Sequence, residues 1–230
     1  MSTLDEQLDN PVWWALTGPH RPFALRSADG TAARYRPDVA MFAAVDRVDG
    51  DAWAALHEVA GPGGVVALFR SEVGSVPDGW TEVYRGRAHQ LTSPPVDDDP
   101  DQNVVELGAD DADAMYDLAR ATRPGPFEVE THRLGTYLGV RDGDRLVAMA
   151  GERFSVPGAT EISAVCTHES ARRQGWGARL TREVARRIQA RGEMAFLHVE
   201  DTNTDALRLY RQLGFDERTV VEVVAVIRAG

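Results

Sequence analysis

One short turn, Arg172-Arg173-Gln174-Gly175-Trp176-Gly177-Ala178, constrains the fold more than any other stretch of the chain. It follows a strand-like run at residues 161–167 and precedes a helix-like run at residues 179–190. A glycine-rich turn between a strand and a helix exposes successive backbone N–H groups at the positive end of the helix dipole, which favours binding of phosphate. Gly175 and Gly177 also let a phosphate approach closely. The turn therefore predicts an αβ fold that binds a phosphorylated cofactor.

The spacing within this turn excludes the two commonest phosphate-binding motifs. No G-x-x-x-x-G-K-[ST] occurs, and the chain contains no lysine, so the turn is not a P-loop. No full G-x-G-x-x-G follows a strand either, which excludes the dinucleotide-binding fingerprint. The remaining pattern, R-x-x-G-x-G-A, is by itself equally typical of an ordinary helix that begins after a glycine turn.

The downstream elements decide between these interpretations. A second short strand at residues 194–200 is followed by an amphipathic helix at 204–213, which Gly214 ends, and by a β-branched strand at 220–227. With these elements the chain resembles the GNAT superfamily of acyl-coenzyme A N-acyltransferases over about residues 103–230. The resemblance is carried by Arg172, Gly175, Gly177, Ala178, Asn203 and the segment Leu209-Tyr210-Arg211-Gln212-Leu213-Gly214-Phe215. Residues 123–152 further resemble the glycine-acyltransferase-related branch.

The resemblance implies a fold and an activity. The expected fold is a mixed twisted sheet with helices on both faces, preceded by a smaller half. The expected reaction is acetyl transfer from acetyl-CoA to a primary amine of a small molecule or amino acid, by direct attack in a ternary complex. Two alternatives stay open: an enzyme that uses longer-chain acyl-CoA, and a non-catalytic acyl-CoA-binding regulator.

The resemblance also assigns the cofactor-binding residues. Backbone groups at the end of the central strand would contact the pantetheine arm, the turn would hold the pyrophosphate, and an asparagine beyond the next strand would reach the pantetheine. These residues are Val165, Cys166, Thr167, Arg172, Arg173, Gln174, Gly175, Trp176, Gly177, Ala178 and Asn203. Asn203 is alternatively a helix N-cap.

Candidates for proton transfer follow from the same comparison. Tyr210 matches the general acid of many relatives, although an aromatic residue at helical spacing is also typical of a core. Glu161 is the expected general base, with a pKa raised by partial desolvation, and Glu152 is the second choice. Cys166 and His168 share a strand face, but this pair alone is weak evidence for covalent catalysis. The histidines and carboxylates form no spaced metal set, so we expect no metal.

The acceptor site is less well defined. Phe127 and His132 lie in the variable region before the predicted hairpin, and Trp13 and Trp14 could close the site from the first half. Residues of these types are more typical of ordinary core or inter-domain packing than of a binding site.

A proline-rich acidic segment divides the chain. Residues 93–102 form the predicted linker between a first α+β domain at 1–92 and the GNAT domain at 103–230. In the first part the sequence predicts strands at 23–26, 33–35, 39–45, 65–69 and 80–89, with a helix at 49–59. In the second it predicts helices at 110–120 and 127–134 and a hairpin of 136–141 with 145–153. The first part is either a degenerate, non-binding copy of the acyltransferase fold or an unrelated cap.

Composition limits the classes of partner that the protein is expected to bind. The net charge of −11 argues against nucleic-acid binding, and no apolar run is long enough to span a membrane. The single cysteine, Cys166, fits a reducing cytoplasm, and the exclusive use of arginine as the basic residue fits a bacterial gene of high GC content. We therefore expect a cytoplasmic protein whose partner is a small-molecule amine, and a homodimer is compatible with the sequence.

Overall fold

The computed structural model of the protein describes residues 2–97 and 99–229, so Asp98 of the predicted linker, Met1 and Gly230 lie outside the described residues. These ranges contain eleven strands and six α-helices. The strands are β1 (Ala24–Arg26), β2 (Ala32–Tyr35), β3 (Phe42–Val45), β4 (Val65–Arg70), β5 (Trp80–Thr92), β6 (Val105–Leu107), β7 (Tyr137–Asp142), β8 (Arg145–Val156), β9 (Ala159–Thr167), β10 (Met194–Glu200) and β11 (Asp216–Arg228). The helices are α1 (Leu4–Asp9), α2 (Pro11–Thr17), α3 (Gly50–Ala60), α4 (Ala112–Thr122), α5 (Trp176–Ala190) and α6 (Thr204–Gln212).

All the strands join one mixed sheet, in the order β1-β2-β3-β4-β11-β5-β10-β9-β8-β7-β6. From each edge of the sheet towards its centre, the strands of each half follow one another in a similar order and direction. In the first half, β2 and β3 are antiparallel while β3 and β4 are parallel. In the second half, β8 and β9 are antiparallel while β9 and β10 are parallel. The matching order is what a repeat of one αβ unit would give, and α3 and α5 join the two parallel pairs.

The last strand of each half is exchanged between the halves. The strand β5 pairs with β10, and β11 pairs with β4, all antiparallel. The two long strands also pair with each other along most of their length. The sheet is therefore continuous across both predicted domains, although the division at residues 93–102 stays a prediction.

Helices cover both faces of the sheet, as the sequence predicts for a mixed α/β fold. The helix α5 buries Leu180, Val184 and Ile188, which recur every four residues and so share one face. Burying each of these side chains stabilises the fold by about 1.5–3 kcal/mol. This packing fixes α5, and with it the glycine turn, against β8, β9 and β10. No helix in the described ranges is long and apolar enough to cross a membrane.

The observed helices differ from the predicted ones in two regions. The predicted helix at 127–134 is wrong, because only a 3₁₀ turn, Thr131–Leu134, forms there. Thr131 Oγ1 donates a hydrogen bond to the carbonyl of Val39 and accepts one from the N–H of Glu128, which holds the segment as a loop against the first half. The helices α1 and α2 were not predicted, although Thr3 and Glu6 form a capping box at the start of α1.

Candidate active site

A cleft opens in the middle of the sheet where β9 separates from β10. The two strands pair only from Ala159 to Ile162. Beyond that point β9 has one extra residue relative to β8, since Ser163 pairs with Gly151 and Cys166 with Met149. Ala164 in this bulge has φ 53°, a left-handed conformation that is rare for alanine. The bulge and the separated strands border a cavity of about 440 Å³.

The helix that follows β9 begins without a side-chain cap. Gly175 is the N-cap of α5 and has φ 80°, and Arg173 just before it has φ 61°. No side chain in the described ranges caps the first N–H groups of α5, so they are available to an anion. The corresponding helix of the first half, α3, is capped by Asp49, whose carboxylate accepts a hydrogen bond from the N–H of Ala52 at 2.9 Å. A phosphate therefore fits the start of α5 and would be repelled at the start of α3.

The arginines of the turn and of α5 differ in their pairing. Arg172 and Arg173 are exposed, and Arg172 Nε lies 3.4 Å from the carbonyl oxygen of Thr167. Arg179 instead binds Asp101 through two hydrogen bonds of 2.5 and 2.6 Å and stacks on Trp176 at 4.2 Å. The hydrogen bonds from Arg179 hold the pKa of the Asp101 carboxyl well below its usual value. Trp176 in turn donates to Gln174 at 3.2 Å, so the acidic segment and the turn are linked.

Three of the predicted residues line the cavity: Val165, Asn203 and Tyr210. Tyr210 is 7% exposed and packs against Phe215, with the ring centroids 5.7 Å apart. Burial raises the pKa of Tyr210 well above its usual value, so its hydroxyl stays protonated near neutral pH. Asn203 caps α6, because its Oδ1 accepts from the N–H of Ala206 at 3.2 Å. Its amide nitrogen remains able to donate to a ligand.

Cys166 lies on the opposite face of β9. Neighbouring strand residues alternate in direction, and Cys166 packs with Leu107, Met115 and Met149 rather than lining the cavity. Burial raises the pKa of its thiol to about 11, which keeps it protonated. A covalent role for this side chain is therefore disfavoured, and the predicted cofactor contacts of Cys166 and of the adjacent Thr167 fall to their backbone groups.

The expectation that partial desolvation raises the pKa of Glu161 is wrong. Both of its oxygens accept hydrogen bonds of 2.7 Å from Arg153, and His198 Nδ1 lies 2.7 Å from Oε1. Burial alone would raise the pKa of Glu161, but the charge and hydrogen bonds of Arg153, with the hydrogen bond from His198, outweigh it and lower the pKa to about 2. A carboxylate held ionised in this way is a poor base. Glu152, the second choice, binds Arg191 at 2.9 Å and does not line the cavity.

The acceptor-site candidates also lie elsewhere. Phe127 packs edge-on against Tyr137, and Trp13 and Trp14 pack against a hydrophobic core to which both halves contribute. None of these, nor His132, lines the cavity. Residues 123–126, which directly precede Phe127, line the cavity instead. The first of them, Arg123, has a left-handed conformation.

The sequence did not indicate the part of the cavity lining that comes from the first half, from β8 and from His198 of β10. The additional lining residues include Phe42, Phe69, Ala67, Ala88, Arg153 and His198. The charged pair Glu152-Arg153, which directly follows the apolar run at residues 146–151 of β8, was the available signal for Arg153. Nothing local in the sequence indicates that β3 and β4 reach the second half.

Comparisons with known proteins agree with this geometry. The model of the FR47-like protein family matches residues 137–224, which include the bulge, the turn and Tyr210. No significant match was found among curated proteins. Among solved structures, a protein from Novosphingobium aromaticivorans described as an acetyltransferase of the GNAT family is 36% identical, with a TM-score of 0.89 over 97% of this chain and 99% of that one.

Two more distant structures share the fold. A GCN5-related N-acetyltransferase from Kribbella flavida is 19% identical, with a TM-score of 0.68 over 100% of this chain and 97% of that one. A Drosophila protein is also 19% identical, with a TM-score of 0.64 over 86% of this chain and 73% of that one. The predicted fold and superfamily are thus confirmed, whereas the glycine-acyltransferase-related branch stays a prediction. The chain belongs to the GNAT family of acyltransferases, which transfer acetyl groups from acyl-CoA.

Proposed function

We propose that the protein transfers the acetyl group of acetyl-CoA to a primary amine of a small molecule or amino acid, by direct attack in a ternary complex in the cytoplasm. The observation that carries the proposal is a single cavity that borders the bulge of β9, contains Tyr210 and reaches the walls supplied by the first half. Such a cavity can hold a thioester and an acceptor side by side, which the direct reaction requires.

The residues present fit acetyl-CoA. The N–H groups at the start of α5, with Arg172 and Arg173 beside them, would hold the pyrophosphate. The part of β9 beyond Ile162 is not paired with β10, so its edge can hydrogen-bond the amides of the pantetheine arm. Asn203 would donate to the same arm through its amide nitrogen. When bound, acetyl-CoA supplies the thioester carbonyl that the amine attacks.

Groups of the protein itself would then stabilise the developing charge and transfer the protons. The backbone N–H near Val165, in the bulge, would stabilise the negative charge that develops on the carbonyl oxygen. Tyr210 would hydrogen-bond and protonate the departing thiolate, since its hydroxyl is held protonated. With Glu161 ionised and fully paired, we assign proton removal from the amine to water in the cavity, and Glu161 to holding Arg153 and His198 in place.

The experiment that tests the proposal combines calorimetry with a turnover assay. Acetyl-CoA binding is measured first, and release of coenzyme A is then followed on a panel of amines and amino acids. Tyr210→Phe should lower turnover by roughly 10²–10⁴-fold, as expected for loss of a general acid, with acetyl-CoA affinity unchanged. Cys166→Ala is the matched control and should retain activity. Initial rates should give intersecting lines, as a ternary complex requires.

Three results would count against the proposal in different ways. Binding of acetyl-CoA without turnover on any amine would favour a non-catalytic regulator. Turnover only with longer-chain acyl-CoA would favour the other enzyme class. Absence of binding would contradict the role of the turn.

A further inference from the structure

An arginine lies at the floor of the cavity with part of its hydrogen-bonding capacity unused. Arg153 is 9% exposed and lines the cavity. Its Nε and Nη2 atoms donate to Glu161, but Nη1 has no partner among the described residues. Nη1 is nevertheless not among the buried unpaired atoms of those residues, so it remains in contact with the space of the cavity. An acceptor that reaches Nη1 from the cavity would form a charge-assisted hydrogen bond with it, which is stronger than one between neutral groups.

The surroundings leave the guanidinium only one open direction. Its centre lies 4.8 Å from the ring centroid of Phe42 and 4.4 Å from that of Phe154, with Phe69 at 5.8 Å. These rings cover the group, and Glu161 occupies one edge. The remaining edge, which carries Nη1, is where a ligand can bind in the plane of the group. Planar oxygen acceptors such as carboxylates suit this geometry.

Neighbouring groups cannot use this donor. His198 donates through Nδ1 to Glu161 and accepts at Nε2 from the side-chain amide of Gln90 at 2.9 Å. Glu200 lies on the cavity wall, where it accepts from Tyr84 at 3.1 Å. Arg123 also lines the cavity and makes no ion pair within the described ranges. The cavity therefore offers two arginines to a ligand against one exposed carboxylate.

Another part of the cavity wall is apolar and includes several small residues. Ala67, Ala88 and Ala225 come from β4, β5 and β11, and Met41 completes this side. Alanine side chains leave space next to the sheet that an apolar group of the acceptor can fill. The cavity thus combines an in-plane hydrogen-bond donor, an apolar wall and the bulge where acetyl transfer is proposed.

We propose that the acceptor is an amine that also carries a carboxylate and an apolar body, as apolar amino acids do, and that Arg153 binds its carboxylate through Nη1. The inference rests on the proposed acetyl transfer and adds the substrate class and a specificity-determining residue. Arg153 does not take part in bond making, and the carboxylate bound there orients the amine towards the thioester.

The test uses pairs of acceptors that differ only in the carboxylate. Phenylalanine is compared with 2-phenylethylamine, and leucine with 3-methylbutylamine, at saturating acetyl-CoA. The wild-type protein should show a kcat/KM on the order of 10- to 100-fold higher for the carboxylate-bearing member, the range of one charge-assisted hydrogen bond. Equal rates for the two members, or a preference for the amine without the carboxylate, would overturn the inference while leaving the proposed acetyl transfer intact.

The variants must not leave a buried charge unpaired. We therefore use Arg153→Gln with Glu161→Gln in one protein, which removes both charges, and check folding by acetyl-CoA affinity. The ratio of kcat/KM values between the amino acid and the matching amine should fall to about one, mainly through a higher KM for the amino acid. A purely structural role would lower the rates of both members equally and keep the ratio. Arg145→Gln, on the same strand but in contact with His168 outside the cavity, is the matched control.

A measurement on the wild-type protein keeps the inference testable if the double variant fails to fold. 3-Phenylpropanoate should inhibit competitively against the acceptor, with at least about tenfold greater potency than 3-phenylpropanamide. Equal inhibition by the acid and the amide would overturn the inference. Binding of acetyl-CoA without turnover on any amine is the distinct result that contradicts the proposed function itself.

Discussion

At the scale of single residues, the buried charges show why the site differs from its predicted form. The sequence places Glu161 correctly on the central strand, but its partners come from other elements. Arg153 lies on β8 and His198 on β10, and these partners decide that the carboxylate is ionised rather than poised as a base. A pattern of residues along one strand cannot supply this information, because pKa values depend on contacts between strands.

The acid stability of the protein should depend on Glu161. Its pKa is lowered from 4.5 to about 2, so the stabilisation it gives is complete above the unfolded pKa and is lost as pH falls through about 2. Urea denaturation of the wild-type protein should show this loss between about pH 4.5 and pH 2. Glu161→Gln should lower the free energy of unfolding at pH 7 by about 3–5 kcal/mol, since Arg153 is left unpaired. An unchanged pH profile in this variant would contradict the assignment.

Two buried tyrosines offer a matched test of hydrogen bonding. Tyr35 is fully buried, and its hydroxyl pairs with His20 Nδ1 at 2.8 Å. Tyr137 is 2% exposed, and its hydroxyl has no partner among the described residues. Tyr35→Phe should therefore cost about 1–3 kcal/mol, whereas Tyr137→Phe should be neutral or stabilising. Chemical denaturation of both variants measures the difference, and an equal loss in the two would show that Tyr137 also has a partner.

At the scale of elements, the sequence predicts those strands and turns whose structure depends mainly on neighbouring residues in the chain. The strand β10 was predicted with its observed bounds, and the turn before α5 has the expected glycine conformation at Gly175. The pairing of β5 with β10 and β11 was not predictable, because these partners lie more than a hundred residues further along the chain. The alternating residues of β5 give no sign of which strands will flank it. As a result, the apolar wall of the cavity could not be derived from the sequence.

The difference between α5 and α3 predicts how to abolish cofactor binding. Gly175→Asp would place a carboxylate next to the first N–H groups of α5, as Asp49 does in α3 from an extended backbone, and aspartate tolerates the left-handed conformation of Gly175. The free energy of unfolding should fall by about 1–2 kcal/mol, because Gly175 has φ 80° and ψ 7°, a left-handed conformation that is strained for any other residue. Acetyl-CoA affinity should fall roughly 10-fold or more through repulsion of the phosphates.

Two controls separate charge from backbone strain in this experiment. Gly175→Asn adds a neutral side chain of the same shape and should weaken binding less. Gly158 has φ 87° with open space around it, in the turn between β8 and β9, so Gly158→Asp imposes the same strain away from the helix. If Gly175→Asn weakens binding as much as Gly175→Asp, the effect is steric and the electrostatic explanation fails.

At the scale of the whole molecule, the exchanged strands couple the two halves. Removing the first half would take β5 from between β10 and β11, and removing the second would take β11 from beside β4. Each half would then expose unpaired strand edges and apolar faces. The proposal that residues 1–92 form a non-binding copy explains this architecture: the copy supplies a strand and a cavity wall instead of a second cofactor site.

This coupling makes a prediction that independent domains would not fulfil. Four of the five tryptophans, Trp13, Trp14, Trp53 and Trp80, lie in the first half, so Trp176→Phe gives a protein whose fluorescence reports on that half alone. Acetyl-CoA at 100 times its measured Kd for this variant should stabilise the folded state by about 2.7 kcal/mol. Because the sheet is continuous, the fluorescence transition in urea should shift by this full amount and coincide with the far-UV circular dichroism transition. If the ligand shifts only a separate circular dichroism transition and leaves the fluorescence curve in place, the halves unfold independently despite their shared strands.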